Sequence, residues 1–165
     1  MNDKALRYGP YELGQEKAIS DMIWEVFCEF EAPEYSKEGI EIFREFINSE
    51  RLANDIRNNG FKIYCCFEDD TLVGVLAVRN PAHISLLFVK KSHHRRGIAK
   101  ELLNLAVTGV LWNNPDTEEL TVNSSPYAVE IYKKMGFEAT DTMREKSGII
   151  YMPMKKLLIQ TEGGA

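Results

Sequence analysis

The sequence predicts an α+β fold: a mixed, mostly antiparallel central sheet with one parallel strand pair and helices on both faces. Three observations lead there. Before Gly60 apolar residues recur at helical spacing, and over residues 61–89 the period switches to two, in three runs joined by short turns. A long apolar helical run over residues 97–112 then separates the third of these runs from another short β-run. Two strands joined through a helix become parallel neighbours, whereas strands joined by tight turns pair antiparallel.

Taken in chain order, residues 4–13 suit a first strand, broken at Gly9-Pro10. From Gln15 to Phe30, Ile19, Ile23, Val26, Phe27 and Phe30 form one apolar stripe, so the segment is an amphipathic helix that Ala32-Pro33 stops. Ser36 offers an N-cap to a second helix carrying Ile40, Phe43, Phe46 and Ile47. A short helical turn around Leu52–Ile56 ends at Asn58-Asn59-Gly60, a left-handed turn signal.

The segment "FKIYCCFEDDTLVGVLAVRNPAHISLLFV" then alternates. Phe61–Phe67, Leu72–Val78 and Ile84–Val89 are its strands, with turns at Glu68-Asp69-Asp70 and Asn80-Pro81, and they make an antiparallel meander. The helix from Gly97 to about Trp112 is apolar nearly all round and should show little solvent face. Leu120–Asn123 is a short strand, and Pro126–Met135 a helix with proline in its first turn and Gly136 just past its end. Phe137–Met143 and Ile149–Met154 should form a final hairpin around Glu145-Lys146-Ser147-Gly148, followed by a frayed tail, "QTEGGA". No repeat or linker interrupts the chain, so residues 1–165 read as a single domain.

Composition narrows the class. With 44% hydrophobic and 27% charged residues the chain is that of an ordinary globular protein, and its net charge of −5 argues against a nucleic-acid partner. No apolar run reaches membrane-spanning length and no leader-like segment opens the chain, so a cytoplasmic protein without membrane contact is expected. Three cysteines without metal-ligand spacing read as reduced thiols, buried or half-buried, and no metal site is expected.

The chemistry-bearing stretch is "SHHRRGIAKELLNLA", residues 92–106, which takes a strand end through a basic loop into a helix start. Unpaired N–H groups and a partial positive charge make a helix N-terminus an anion site. Gly97 and Ala99 let backbone approach a ligand, and Arg95 and Arg96 add charged donors. The spacing is neither a nucleotide P-loop nor a G-x-G-x-x-G fingerprint.

His94-Arg95-Arg96-Gly97-Ile98-Ala99 resembles the acyl-CoA signature of the GNAT superfamily of N-acetyltransferases, Gln/Arg-x-x-Gly-x-Gly/Ala, with His94 at the position where Gln or Arg is usual. "NSSPYAVEIYKKMGF", residues 123–137, is similar to the family's second cofactor segment, and the order of elements is that of the GNAT fold. The resemblance implies acetyl-CoA as acyl donor and no metal. It places pantetheine between the strands ending at Val89 and Asn123, which splay apart in the family, on backbone groups of Leu87, Phe88 and Val89. The pyrophosphate would sit on the N–H groups of Arg96, Gly97, Ile98, Ala99 and Lys100, with Asn123 and Ser125 on the pantetheine arm. Tyr132 matches the family tyrosine near the thioester sulfur and so is the expected general acid.

Acyl transfer also needs a neutral amine, and neutralising one of pKa about 10.4 at pH 7 costs roughly 4–5 kcal/mol. Simple alternation puts His83 and Ser85 on one strand face with Leu87, which makes His83 a candidate base and Ser85 a candidate acceptor contact. Glu31, Glu34 and Tyr35 fall between the first two helices, where this family shapes its acceptor pocket, and a carboxylate there would meet a cationic amine. His93 is expected in exposed loop. The reading is an N-acetyltransferase acting by direct attack on a primary amine of a small molecule or a protein; the alternative is a non-catalytic acyl-CoA-binding regulatory module. Family members commonly dimerise, so a homodimer is open.

Overall fold

A computed structural model describes residues 4–158. Its strands are β1 (Leu6–Pro10), β2 (Phe61–Glu68), β3 (Thr71–Arg79), β4 (His83–Val89), β5 (Glu119–Ser124), β6 (Glu138–Ala139), β7 (Arg144–Lys146) and β8 (Ile149–Leu157). The helices are α1 (Glu16–Phe30), α2 (Lys37–Phe46), α3 (Ser49–Asn58), α4 (Ile98–Asn113) and α5 (Val129–Lys134). The sheet runs β1-β2-β3-β4-β5-β8-β6, with β7 paired to β8 off that path, and among the described residues only β4 and β5 are parallel. The predicted fold class is the observed one. The expected frayed tail, residues 160–165, lies outside the described residues.

The sheet divides two cores. Ile19, Ile23 and Phe27 of α1 and Leu52 of α3 pack on one face against Ile63, Val75, Leu86 and Phe88. Ile98, Leu102, Ala106 and Val110 of α4 cover the other, with Val73, Leu120, Val122 and Tyr132. Phe27 is fully buried beneath Phe43 at 4.1 Å, and burial of a side chain that size contributes about 1.5–3 kcal/mol. Gly74 lies under the first residue of α4; a Cβ there would stand 2.8 Å from Ile98 Cγ2. The absent side chain lets the helix start settle on the sheet.

Several expectations change. The turn around Leu52 is a helix of ten residues, capped by Asn48, whose Oδ1 accepts from Glu50 N at 2.9 Å. α4 does have a solvent face, at Glu101, Asn104, Thr108 and Trp112. The final hairpin is β7–β8: β7 takes in Glu145 and Lys146, and the turn is only Ser147-Gly148, both at positive φ. β8 also runs between β5 and β6, an insertion that local pattern does not reveal. Cys65 and Cys66 are buried on opposite faces, but Cys28 is exposed, because it falls on the polar side of α1.

Candidate active site

A fork in the sheet defines the site. β4 and β5 pair only at His83↔Thr121 and Ile84↔Val122, and beyond these the β5-facing edge of Leu86–Val89 has no strand partner. The cause is a bulge. Against β3 the register passes from Val78↔Ile84 to Ala77↔Leu86, so Ser85 is an extra residue and β4 bends there. Ile84 consequently faces the α4 core, while Leu86 and Phe88 face the α1 core. His83 and Leu87 therefore lie on opposite faces, which corrects the simple alternation. The Ser85 hydroxyl, at the apex of the fork, is buried without a hydrogen-bond partner among the described residues.

Beyond Val89 the loop turns into α4. Arg95 and Gly97 both take positive φ, +64° and +78°, and α4 begins at Ile98, leaving the N–H groups of its first turn without intrahelical partners. A Cβ on Gly97 would find nothing within 4 Å, so open space lies over this helix start. Arg96 turns away from it. Its guanidinium donates to Glu68 at 2.9 Å and to the Lys4 carbonyl at 3.2 Å, so the charge expected over the helix start is anchored at the end of β2. His93 is not exposed loop: its Nε2 lies 3.2 Å from the same Glu68 carboxylate. Arg96 and then His93 hold the Glu68 carboxyl below the usual range. The His94 ring lies 5.3 Å from that of Phe30, and its Nε2 donates to the Val89 carbonyl at 2.8 Å. Side chains of Phe88 and Ile98 are core, so these positions offer a ligand only backbone; Arg95 and Lys100 are exposed.

The other arm of the fork carries the titratable groups. Asn123 is exposed near the end of β5, and the Ser125 hydroxyl caps the next helical turn by accepting from Ala128 N at 3.3 Å. Tyr132, on α5, is 5% exposed and meets Phe137 edge-on at 5.2 Å. At the end of α1 the Phe30 ring stacks on Tyr127 at 5.0 Å, which brings Glu31 beside Ser125. Burial pushes the Glu31 carboxyl up to about 7; the Ser125 hydrogen bond opposes that and the charge of exposed Glu34 adds to it. Burial raises the Tyr132 phenol, and the Glu31 charge raises it further. Burial followed by Glu31 and Glu34 does the same to Tyr35. Glu31, Ser125, Tyr35 and Tyr132 are thus brought into one electrostatic neighbourhood.

His83 stands apart from them, at the paired end of β4, with Nδ1 2.8 Å from Thr121 Oγ1. Burial, and then Arg79, pull its pKa down to about 4.

Next to Asn123 a cavity of about 370 Å³ is lined by Tyr35, Ile42, Asn123, Lys146, Ser147, Ile149 and Tyr151. One wall is the β7–β8 turn, latched to α2: Ser36 N donates to the Gly148 carbonyl at 3.1 Å, and a Cβ on Gly39 would stand 2.7 Å from that oxygen. Sequence reasoning missed this wall, because the contact joins residues more than a hundred positions apart. Among the described residues no His/Cys/Asp/Glu group could hold a metal ion, and no helix is long and apolar enough to cross a membrane.

The sequence profile of a family described as Acetyltransferase (GNAT) domain matches residues 31–158. Solved structures share the fold at low identity. A GCN5-related N-acetyltransferase from Rhodopseudomonas palustris aligns at TM-score 0.77 and 22% identity, over 96% of this chain and 98% of that one. The PaiA N-acetyltransferase of Thermoplasma acidophilum, in complex with coenzyme A, gives 0.76 and 21%, over 93% and 99%. The ribosomal-protein-S18-alanine N-acetyltransferase of Escherichia coli gives 0.66 and 10%, over 98% and 99%.

Proposed function

Since the chain belongs to the GNAT acetyltransferase family and is thereby an acyltransferase, we propose that it moves an acetyl group from acetyl-CoA to a primary amine by direct attack, with Tyr132 as general acid. The observation that carries this reading is the convergence of a forked β4–β5 pair, an open helix N-terminus behind Gly97, and a buried phenol beside the fork. The residues fit the donor. Backbone N–H groups of Arg96 to Lys100 would hold the pyrophosphate, the unpaired edge of Leu87–Val89 the pantetheine, and Asn123 and Ser125 its other side. His94 already takes the Val89 carbonyl, so that group is not left for the ligand. The donor supplies an activated acyl thioester.

The protein's own groups manage the protons. Glu31, rather than His83, suits the base: a carboxyl near pKa 7 is both ionised and basic enough at neutral pH, whereas an imidazole near 4 has little affinity for a proton. As the amine nitrogen bonds to the carbonyl carbon, its proton passes to Glu31, directly or through water. As the C–S bond breaks, the Tyr132 hydroxyl donates a hydrogen bond to the departing sulfur and relays a proton to it as another arrives from solvent, so that no buried phenolate is left behind. A phenol raised by burial is protonated at every working pH.

The test is a thermal shift with acetyl-CoA together with thiol release. Acetyl-CoA at micromolar concentration should raise Tm in the wild type and not in Gly97→Glu, where a carboxylate would enter the anion site. No shift with any acyl-CoA removes the donor assignment.

A further inference from the structure

We propose that the acceptor is an amino acid with an aromatic or branched apolar side chain, whose carboxylate is held by Lys146 while its amine faces Glu31. This rests on the acetyltransferase reading above and assigns the substrate class of the same site. The lining of the cavity beside Asn123 carries the argument. Its walls are two tyrosines, Tyr35 and Tyr151, and two isoleucines, Ile42 and Ile149, which suit an apolar body. Its lining holds one cation, Lys146, and no carboxylate. A polyamine or an aminosugar would bring several positive charges into that space and meet repulsion there, whereas an amine that also bears a carboxylate meets a partner.

The position of Lys146 is built. It sits two residues before Gly148, whose carbonyl is tied to Ser36 N at 3.1 Å, and the turn between them takes positive φ at both Ser147 and Gly148. Among the described residues Lys146 makes no ion pair. Tyr35, in the same lining, closes the short helical turn Ala32–Glu34 that follows Glu31, its amide donating to the Ala32 carbonyl at 3.0 Å, so Glu31 belongs to the segment that meets the cavity at Tyr35 and supplies the charge opposite to Lys146. A volume of about 370 Å³ admits one amino acid with its side chain.

The experiment measures thiol release at saturating acetyl-CoA with L-phenylalanine, L-leucine, phenethylamine (phenylalanine without its carboxylate) and spermidine. Wild type, Lys146→Ala and Lys146→Glu are compared, with the acetyl-CoA thermal shift as a control for folding and donor binding. The expected result is a KM for phenylalanine about tenfold below that for phenethylamine. Lys146→Ala should erase the difference and Lys146→Glu reverse it, both with the thermal shift retained. Equal KM values for the two in the wild type, or faster use of spermidine, overturn the assignment. So does the absence of thiol release with every amine while acetyl-CoA still raises Tm, an outcome that leaves donor binding standing. Should acetyl-CoA fail to shift Tm, the enzyme reading fails by itself. The cavity is then judged by NMR, where unmoved Tyr35 and Tyr151 ring signals on addition of phenylalanine overturn the acceptor as well.

Discussion

In the proposed mechanism Glu31 and Tyr132 are two acids whose environments suit them to opposite ends of a proton path. Burial raises both, but it leaves the carboxyl near 7, where it can take a proton, and keeps the phenol protonated, where it can donate a hydrogen bond to a departing sulfur. Tyr132→Phe should lower kcat about 10- to 100-fold and leave acetyl-CoA affinity nearly unchanged, since the ring still packs on Phe137; single-turnover rates and a binding titration check this. For Glu31 the sign follows from its raised pKa: the base form appears as pH rises through about 7, so kcat/KM should climb over that range and the limb should vanish in Glu31→Gln. A limb that survives the substitution assigns the base elsewhere. Gly97 was legible as a candidate from the helix start it opens, and Tyr132 and Asn123 as candidates by resemblance alone. Glu31 was legible only as part of an acceptor-side loop, because nothing in its sequence neighbourhood encodes the Phe30–Tyr127 stack that buries it.

At the scale of elements, the site depends on two irregularities and one latch. The bulge at Ser85 ends β4–β5 pairing and opens the fork, and the left-handed Gly97 turns the loop into α4. The latch is the β7–β8 turn on the start of α2. Gly148 takes φ +78°, and a side chain there would collide with the Ser36 hydroxyl. Gly148→Val should therefore cost about 1–3 kcal/mol and detach the turn. It should raise the acceptor KM while the Kd for acetyl-CoA stays within about twofold, because the proposed donor contacts lie on β4, the end of β5 and the start of α4. An unchanged acceptor KM separates the latch from the pocket. Helix starts such as Ser36 and the Asp69-Asp70 turn were legible because capping and turn chemistry act within a few residues. The bulge was not: an unbroken apolar alternation runs straight through Ser85, and only the register against β3 reveals the extra residue.

Across the whole molecule, two half-buried groups far apart in the chain set opposite pH slopes. Glu31, raised from 4.5 to about 7, holds its proton more tightly in the folded state, so stability falls as pH rises across that window. His83, lowered from 6.5 to about 4, charges more readily when unfolded, so stability rises with pH over its window. Between about 4.5 and 6.5 the slopes oppose each other. Denaturation across that range should give a nearly flat profile for the wild type, a rising one for Glu31→Gln and a falling one for His83→Gln; parallel profiles would refute the burial of both groups. Such partners meet only because two helical layers close on one sheet. By itself the sequence determined the class of fold, the meander β2–β4 and the helix start at Gly97, since each follows from periodicity, caps and turns acting over a few residues. Tertiary structure alone decided the insertion of β8 beside β5, the burial that tunes Glu31, the turning of Arg96 to Glu68 and the wall that Lys146 gives the cavity beside Asn123. The physical reason is range: these outcomes depend on burial and contact between residues far apart in the chain, which no local pattern records.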